Sequence, residues 1–282
     1  MKNILLPTDF SDNSWKAISY ALELLKDAEC TFYLMHSYEP QVAAPSTAVT
    51  SKRANSIIME SMKNEAISEL NRLKKQIDAL PKNENHTFKT SIINDYFTSA
   101  VKAKVKEHSI DAVILGTKGA SGLKEVTLGS NTAGLIGKLT CPIIAVPSNV
   151  VFNDINEIGF AVDYSINSYT NGLSLLKALA EHFEAQVSVV HILKDKALTP
   201  EKASSKEKLI AFLKPVPTHF YQLTDVSVAK GTRIFSESRQ LDMMCVIAKK
   251  HNFFEKLFNK SQSKSISHHA KVPLIIFNEA SF

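Results

Sequence analysis

Between Leu115 and Thr132 the chain reads Leu-Gly-Thr-Lys-Gly-Ala-Ser-Gly-Leu-Lys-Glu-Val-Thr-Leu-Gly-Ser-Asn-Thr, and six of its nine glycines fall from Gly116 to Gly137. Glycine costs backbone entropy and is used where the chain needs a positive φ or a close approach. The apolar run Ala112–Leu115 before this stretch reads as a buried parallel strand, and Ala133 to Leu139 after it reads as a helix. Strand, glycine loop and helix start together make an anion cradle. The first-turn amides of such a helix lack partners, and its dipole favours negative charge there. Ser130 and Thr132 add hydroxyls, and a phosphate chain is the natural occupant. A tight, ligand-free turn is the alternative. The spacing excludes two common phosphate loops. No Gly-Lys-Ser/Thr closes it as in a P-loop. Gly116, Gly119 and Gly122 give GxxGxxG, where a dinucleotide fingerprint needs GxGxxG.

The elements that must position this loop follow from the apolar pattern. Residues 2–7 read as a first strand ending at Pro7-Thr8-Asp9. Ser11 or Asp12 caps a helix to about residue 28, with Trp15, Ile18, Ala21, Leu22 and Leu25 on one face. Cys30 to Ser37 is a second strand, and 38–51 a flexible loop. A long amphipathic helix spans about 52–80, with Ile57, Ile58, Met62, Ala66, Leu70, Leu73 and Ile77 inward, and Pro81 stops it. His86–Ile93 is strand three, 95–108 a helix, Asp111–Leu115 strand four, and Cys141–Pro147 strand five. This alternation predicts an α/β doubly wound parallel sheet, whose ligands sit beyond the carboxyl ends of the strands. Thr8-Asp9, His36-Ser37 and the glycine loop occupy those ends.

The pattern then recurs. Ile158–Ser165 parallels Ile4–Ser11, Val189–Ile192 parallels Leu34–Ser37, Leu241–Ala248 parallels Ile110–Gly116, and Val272–Phe277 parallels Cys141–Val146. Four matches in order predict a duplication: two tandem five-stranded units, 1–148 and 156–282, with a join at 148–156. His36 and His191 recur at equivalent strand ends, which favours packing over chemistry. The second copy loses the glycines: Ala248, His251 and Lys260 stand where Gly116, Gly119 and Gly129 do. Asp163 and Ser261 persist, while Phe253, Phe254 and Phe258 crowd the loop. No phosphate site is expected there. Adjacent His268 and His269 point apart on a helix, so no metal is expected either. The apolar runs Ile143–Val146 and Leu274–Phe277 would be sticky edges and are expected to pack the copies together as an internal pseudo-dimer. Whether chains associate further, as a homodimer, is open.

Charge excludes other classes. Lys and Arg outnumber Asp and Glu by 17 to 15 in residues 1–150 and by 16 to 13 afterwards. With no basic block, nothing suggests a nucleic-acid groove. No apolar stretch approaches the roughly 20 residues of a membrane span. Cys30, Cys141 and Cys245 form no CxxC and lie in or beside apolar runs, which suits reduced thiols in a cytoplasmic protein.

Pro7-Thr8-Asp9-Phe10-Ser11, His36, the glycine spacing (Gly, two residues, Gly, nine residues, Gly-Ser) and Cys141-Pro142-Ile143 together resemble the universal stress protein family, as a tandem member. The resemblance implies the doubly wound fold and, in some members, ATP or AMP binding. It places Thr8 and Asp9 at adenine and ribose, and Ser37 and Leu115 by the base. Gly116 and Gly119 would lie along ribose and phosphate, with Gly129, Ser130, Asn131 and Thr132 at the phosphates. Asn131 departs from the hydrophobic residue common there. Magnesium would ride on phosphate oxygens without a protein cage. Lys118 and Lys124 read as solvated. The related pyrophosphatase branch would carry Ser-Gly-Gly after strand one, and Thr8-Asp9-Phe10-Ser11 lacks it. No catalytic triad is visible. The expected role is a non-catalytic, nucleotide-responsive regulator whose loops 38–51 and 116–128 are read by a partner protein. A slow ATPase and a nucleotide-free scaffold or small-ligand binder are the alternatives.

Overall fold

The computed structural model describes residues 2–39, 49–117, 129–193, 198–248 and 272–282. In chain order the elements are β1 (Asn3–Pro7), α1 (Asp12–Leu24), β2 (Cys30–Tyr38), α2 (Val49–Asp78), β3 (His86–Asn94), α3 (Phe97–Glu107), β4 (Ala112–Gly116), α4 (Ser130–Leu135) and β5 (Ile143–Val146). The series continues with β6 (Glu157–Val162), α5 (Ser174–His182), β7 (Gln186–Ile192), α6 (Pro200–Leu213), β8 (Thr218–Leu223), α7 (Val228–Arg239), β9 (Met243–Ala248) and β10 (Leu274–Asn278), and ends in a 3₁₀ turn, Glu279–Ser281. The central strands are apolar along their whole length because helices cover both faces.

Two five-stranded parallel units are joined edge to edge, giving one ten-stranded sheet of order β3-β2-β1-β4-β5-β10-β9-β6-β7-β8. All pairings are parallel except β5–β10, which is antiparallel and sets Ile144 opposite Ile275 and Leu274 opposite Ala145. The order reads alike from both ends, so a pseudo-twofold axis passes through this pair. Ile144 and Ile275 are fully buried on it.

The same devices finish the leading strand of each unit. Asp9 Oδ1 accepts from Ser11 N and Oγ, and Ser11 Oγ in turn accepts from Ser14 N as the cap of α1. Asp163 Oδ1 accepts from Ser165 N and Oγ in the same way. Phe10 and Tyr164 follow these aspartates at φ 62° and 56°, and their rings lie against His36 and His191. His36 Nδ1 donates to Thr8 O and His191 Nδ1 to Val162 O, each at 2.8 Å. Each bond ties β2 or β7 to the end of its neighbour.

Three elements depart from the sequence reading. Ala66, Leu70, Leu73 and Ile77 of α2 are buried, but Ile57 and Ile58 are 61% and 46% exposed. The reason is length: 30 helical residues reach about 45 Å, whereas the nine-residue β2 beneath reaches about 30 Å. The start of α2 therefore overhangs the sheet. Helix α1 stops at Leu24, and α4 stops at Leu135, where Ile136 turns extended and Gly137 takes φ 71°. Most of the expected loop 38–51, residues 40–48, lies outside the described residues, as do 118–128 and 249–271. Phe253, Phe254, Phe258, His251, Lys260, Ser261, His268 and His269 fall in the last segment.

Two outcomes follow. Ile275→Asp leaves a charge unpaired against Ile144 and should cost more than about 3 kcal/mol in urea unfolding, whereas Ile57→Lys should stay within about 0.5 kcal/mol. An Ile275→Asp protein as stable as the parent would contradict the β5–β10 pairing. The His191 pKa is lowered, chiefly by burial. The unfolded chain therefore binds that proton more tightly, and stability should fall as pH drops below about 6.5. In His191→Gln the slope of unfolding free energy between pH 7 and 5 should be shallower than in the parent.

Candidate functional site

In the strand order of the first unit, β1 lies between β2 and β4, and β4 leads back out to β5. The chain reverses direction across the sheet at β1, which opens a crevice beyond the strand ends. A cavity of about 310 Å³ fills that crevice, lined by Pro7, Thr8, Asp9, Ser14, His36, Ser37, Glu39, Phe97, Leu115, Gly116, Gly129, Ser130, Asn131 and Thr132. Nine of the ten residues singled out from the sequence come together here. Gly119 lies outside the described residues, as do Lys118 and Lys124.

Several of these side chains already have partners. The Thr8 hydroxyl is 3.0 Å from Ser14 Oγ and accepts from Phe10 N. One carboxylate oxygen of Asp9 holds the turn into α1, as described above. Thr132 is buried, and its hydroxyl donates to Gly116 O at 3.1 Å, joining α4 to β4. Gly116 is glycine for a packing reason: a Cβ there would stand 2.0 Å from Asn13 Nδ2 of α1. Ser130 and Asn131 are exposed at the start of α4. Within α4 the first backbone bond runs from Ala133 N to Gly129 O. The amides of Ser130, Asn131 and Thr132 precede it and have no carbonyl one turn back.

The cavity has two kinds of wall. Leu115, Phe97 and Pro7 are apolar, suited to a flat ring. The α4 side offers amides and small polar side chains. Asp9 and Glu39 are its acidic residues, and no Lys or Arg occurs among the described residues lining it. Among the described residues no group of three or more His, Cys, Asp or Glu could hold a metal ion. Ser14, Glu39 and Phe97 were not singled out from the sequence. Phe97 opens α3 directly after β3, so its connection runs at the same carboxyl edge. That topological position was its one available signal.

At the equivalent strand ends of the second unit, the described residues are mostly aliphatic. Val162, Ile192, Val228 and Ile247 stand where the first unit has Thr8, Ser37, Phe97 and Gly116, and a cavity of about 40 Å³ lies among them. Strand register thus matches Gly116 with Ile247 and not, as the sequence pattern suggested, with Ala248. Ile192 reaches inward over Gly231, where even a Cβ would come within 2.8 Å of Ile192 Cδ1. His191 Nε2 is buried there with no hydrogen-bond partner. Burial raises the thiol pKa of all three cysteines, Cys141 to about 12. They are protonated, unreactive core groups at neutral pH.

No helix among the described residues is long and apolar enough to cross a membrane. The whole fold is similar to that of a universal stress protein from Archaeoglobus fulgidus, with a TM-score of 0.63 and 17% identity over 97% of this chain and 95% of that one. It is also similar to a putative universal stress protein from Pseudomonas aeruginosa, at a TM-score of 0.55 and 10% identity over 99% and 93%. In sequence, the chain is 23% identical over 145 residues to a universal stress protein of Methanocaldococcus jannaschii, covering 51% of this chain and 81% of that protein. Over 143 residues it is 24% identical to one of Bacillus subtilis, covering 51% and 97%. The model of the universal stress protein family matches residues 1–147, a span that contains the open crevice and every residue lining it, and on that match the chain belongs to the universal stress protein family.

Proposed function

We propose that residues 1–148 form a nucleotide-binding domain holding one adenine nucleotide, ATP or AMP, and that residues 156–282 form a degenerate copy that holds none. The observation that carries this is a contrast among the described residues, a cavity of about 310 Å³ at the strand ends of the first unit against about 40 Å³ at those of the second. A site of that size fits a nucleotide. The base would lie between Phe97 and Leu115, with Ser37 alongside. The phosphates would meet the α4 amides and the Ser130 and Asn131 side chains, since the Thr8 and Thr132 hydroxyls are engaged elsewhere. Asp9 would meet the ribose with what its turn leaves available. Magnesium, where bound, would be carried by phosphate oxygens and would offset the acidic Asp9 and Glu39.

Binding rather than turnover is the proposed activity. His36, the histidine lining the crevice, is engaged through Nδ1 in joining two strands. The output would be conformational, read by a protein partner, in the cytoplasm, where buried reduced thiols persist.

Equilibrium binding of labelled ATP tests this. Wild type should saturate with one nucleotide per chain. Gly129→Val sets a branched side chain at the mouth of the phosphate side and should weaken binding by at least about tenfold, or 1.4 kcal/mol. Folded wild-type protein that shows no saturable binding overturns the reading. Gly116→Ala is the informative control. It should lower thermal stability even without nucleotide, because its Cβ meets Asn13.

A further inference from the structure

We propose that the open groove between α1 and α5, at the junction of the two units, is a second ligand site, and that it takes a small aromatic amine. The groove encloses about 490 Å³ and shares no residue with the nucleotide crevice. That volume is in the range of small-molecule sites.

The argument comes from the pseudo-twofold axis. Matching β2 and β7 through His36 and His191 also matches α1 with α5. Tyr20 then corresponds to Leu175, Ala28 to Phe183, and Asp27 to His182. Asp27 and His182 meet near the axis at 3.8 Å. The axis therefore generates two grooves between the helices, one on each side of that pair. The join between the units crosses one of them. There Phe152 packs edge-on against Tyr20, with ring centroids 5.4 Å apart, and against Phe183 at 6.1 Å. Lys16 Nζ fixes the same segment by donating to Ser148 O.

The other groove presents Leu175 and Ala28 where its twin presents Tyr20 and Phe183. Two rings are replaced by smaller groups, and room for an aromatic ring remains between them. Its floor is apolar, with Leu24, Leu179 and Phe277 buried. Its rim sets the charge preference. Asp27 and Asp111 line it, and no Lys or Arg does so among the described residues. Asp111 is engaged with the amides of Lys2 and Asn3. Asp27 is 61% exposed at the rim, and its ion partner among the described residues is His182, which also lines the groove. An ammonium group suits that position, whereas a phosphate or carboxylate would face like charge.

Tryptamine is a suitable probe, with indole-3-acetate as its anionic counterpart, measured by equilibrium dialysis on the full chain. Tryptamine should saturate below about 1 mM, and indole-3-acetate should bind at least about tenfold more weakly. Ala28→Phe restores the ring found in the twin groove and should abolish saturable tryptamine binding. Asp27→Lys should weaken tryptamine by about tenfold and remove the preference for the amine. Excess ATP should not compete. Failure of tryptamine to saturate, equal binding of the two probes, full competition by ATP, or unchanged binding in folded Asp27→Lys protein would each overturn the proposal.

Discussion

The antiparallel contact between β5 and β10 is the interaction on which the rest of the molecule depends. Each strand is a short, largely apolar edge of a parallel sheet, and such an edge in water invites association with another chain. Pairing them inside one chain removes both edges and creates a single ten-stranded sheet. It also fixes the relative placement of the two units. The α1/α5 junction, the grooves beside it and the path of residues 148–156 are all consequences of that pairing.

Given a duplicated frame, comparing the units separates what the fold needs from what a ligand needs. The aspartate turn into the first helix and the histidine bond between neighbouring strands occur in both. Both recur in the second unit, where the described residues at the strand ends leave only about 40 Å³, so they belong to the fold. The difference lies chiefly in side-chain volume at two equivalent positions, Ser37 against Ile192 and Gly116 against Ile247. Thr8, Ser37, Phe97 and Gly116 border a crevice, while Val162, Ile192, Val228 and Ile247 pack beside one another. Burying aliphatic surface stabilises the second unit by roughly 25 cal/mol per Å², so closing an unused crevice is favourable without further selection for binding.

Much of the frame was legible because its signals are periodic. Apolar runs of four to eight residues gave the strands, Ser11 marked the start of α1, and the repeated Val-Asp and Thr-Asp ends gave the duplication. Signals that depend on distant residues were not legible. Ile57 and Ile58 continue the apolar stripe of α2, and only the length of the sheet beneath shows that the stripe overhangs. Gly116 looked like a ligand-facing glycine, yet its hydrogen is required by Asn13 of α1, more than a hundred residues earlier. Thr132 looked like a phosphate donor, but its hydroxyl is used by the carbonyl of Gly116. Phe97 carried no motif, because its place in the crevice follows from strand order. The groove beside α5 was invisible for the same reason: Ala28 and Leu175 acquire meaning only when set against Phe183 and Tyr20.

A crystal structure of the protein grown with AMP would show whether the first unit alone holds a nucleotide. Density is expected for one nucleotide per chain, with its base by Phe97 and Leu115 and its phosphate at Ser130 and Asn131, and none among Val162, Ile192 and Ile247. An empty first crevice, or a nucleotide held by the second unit, would contradict that expectation.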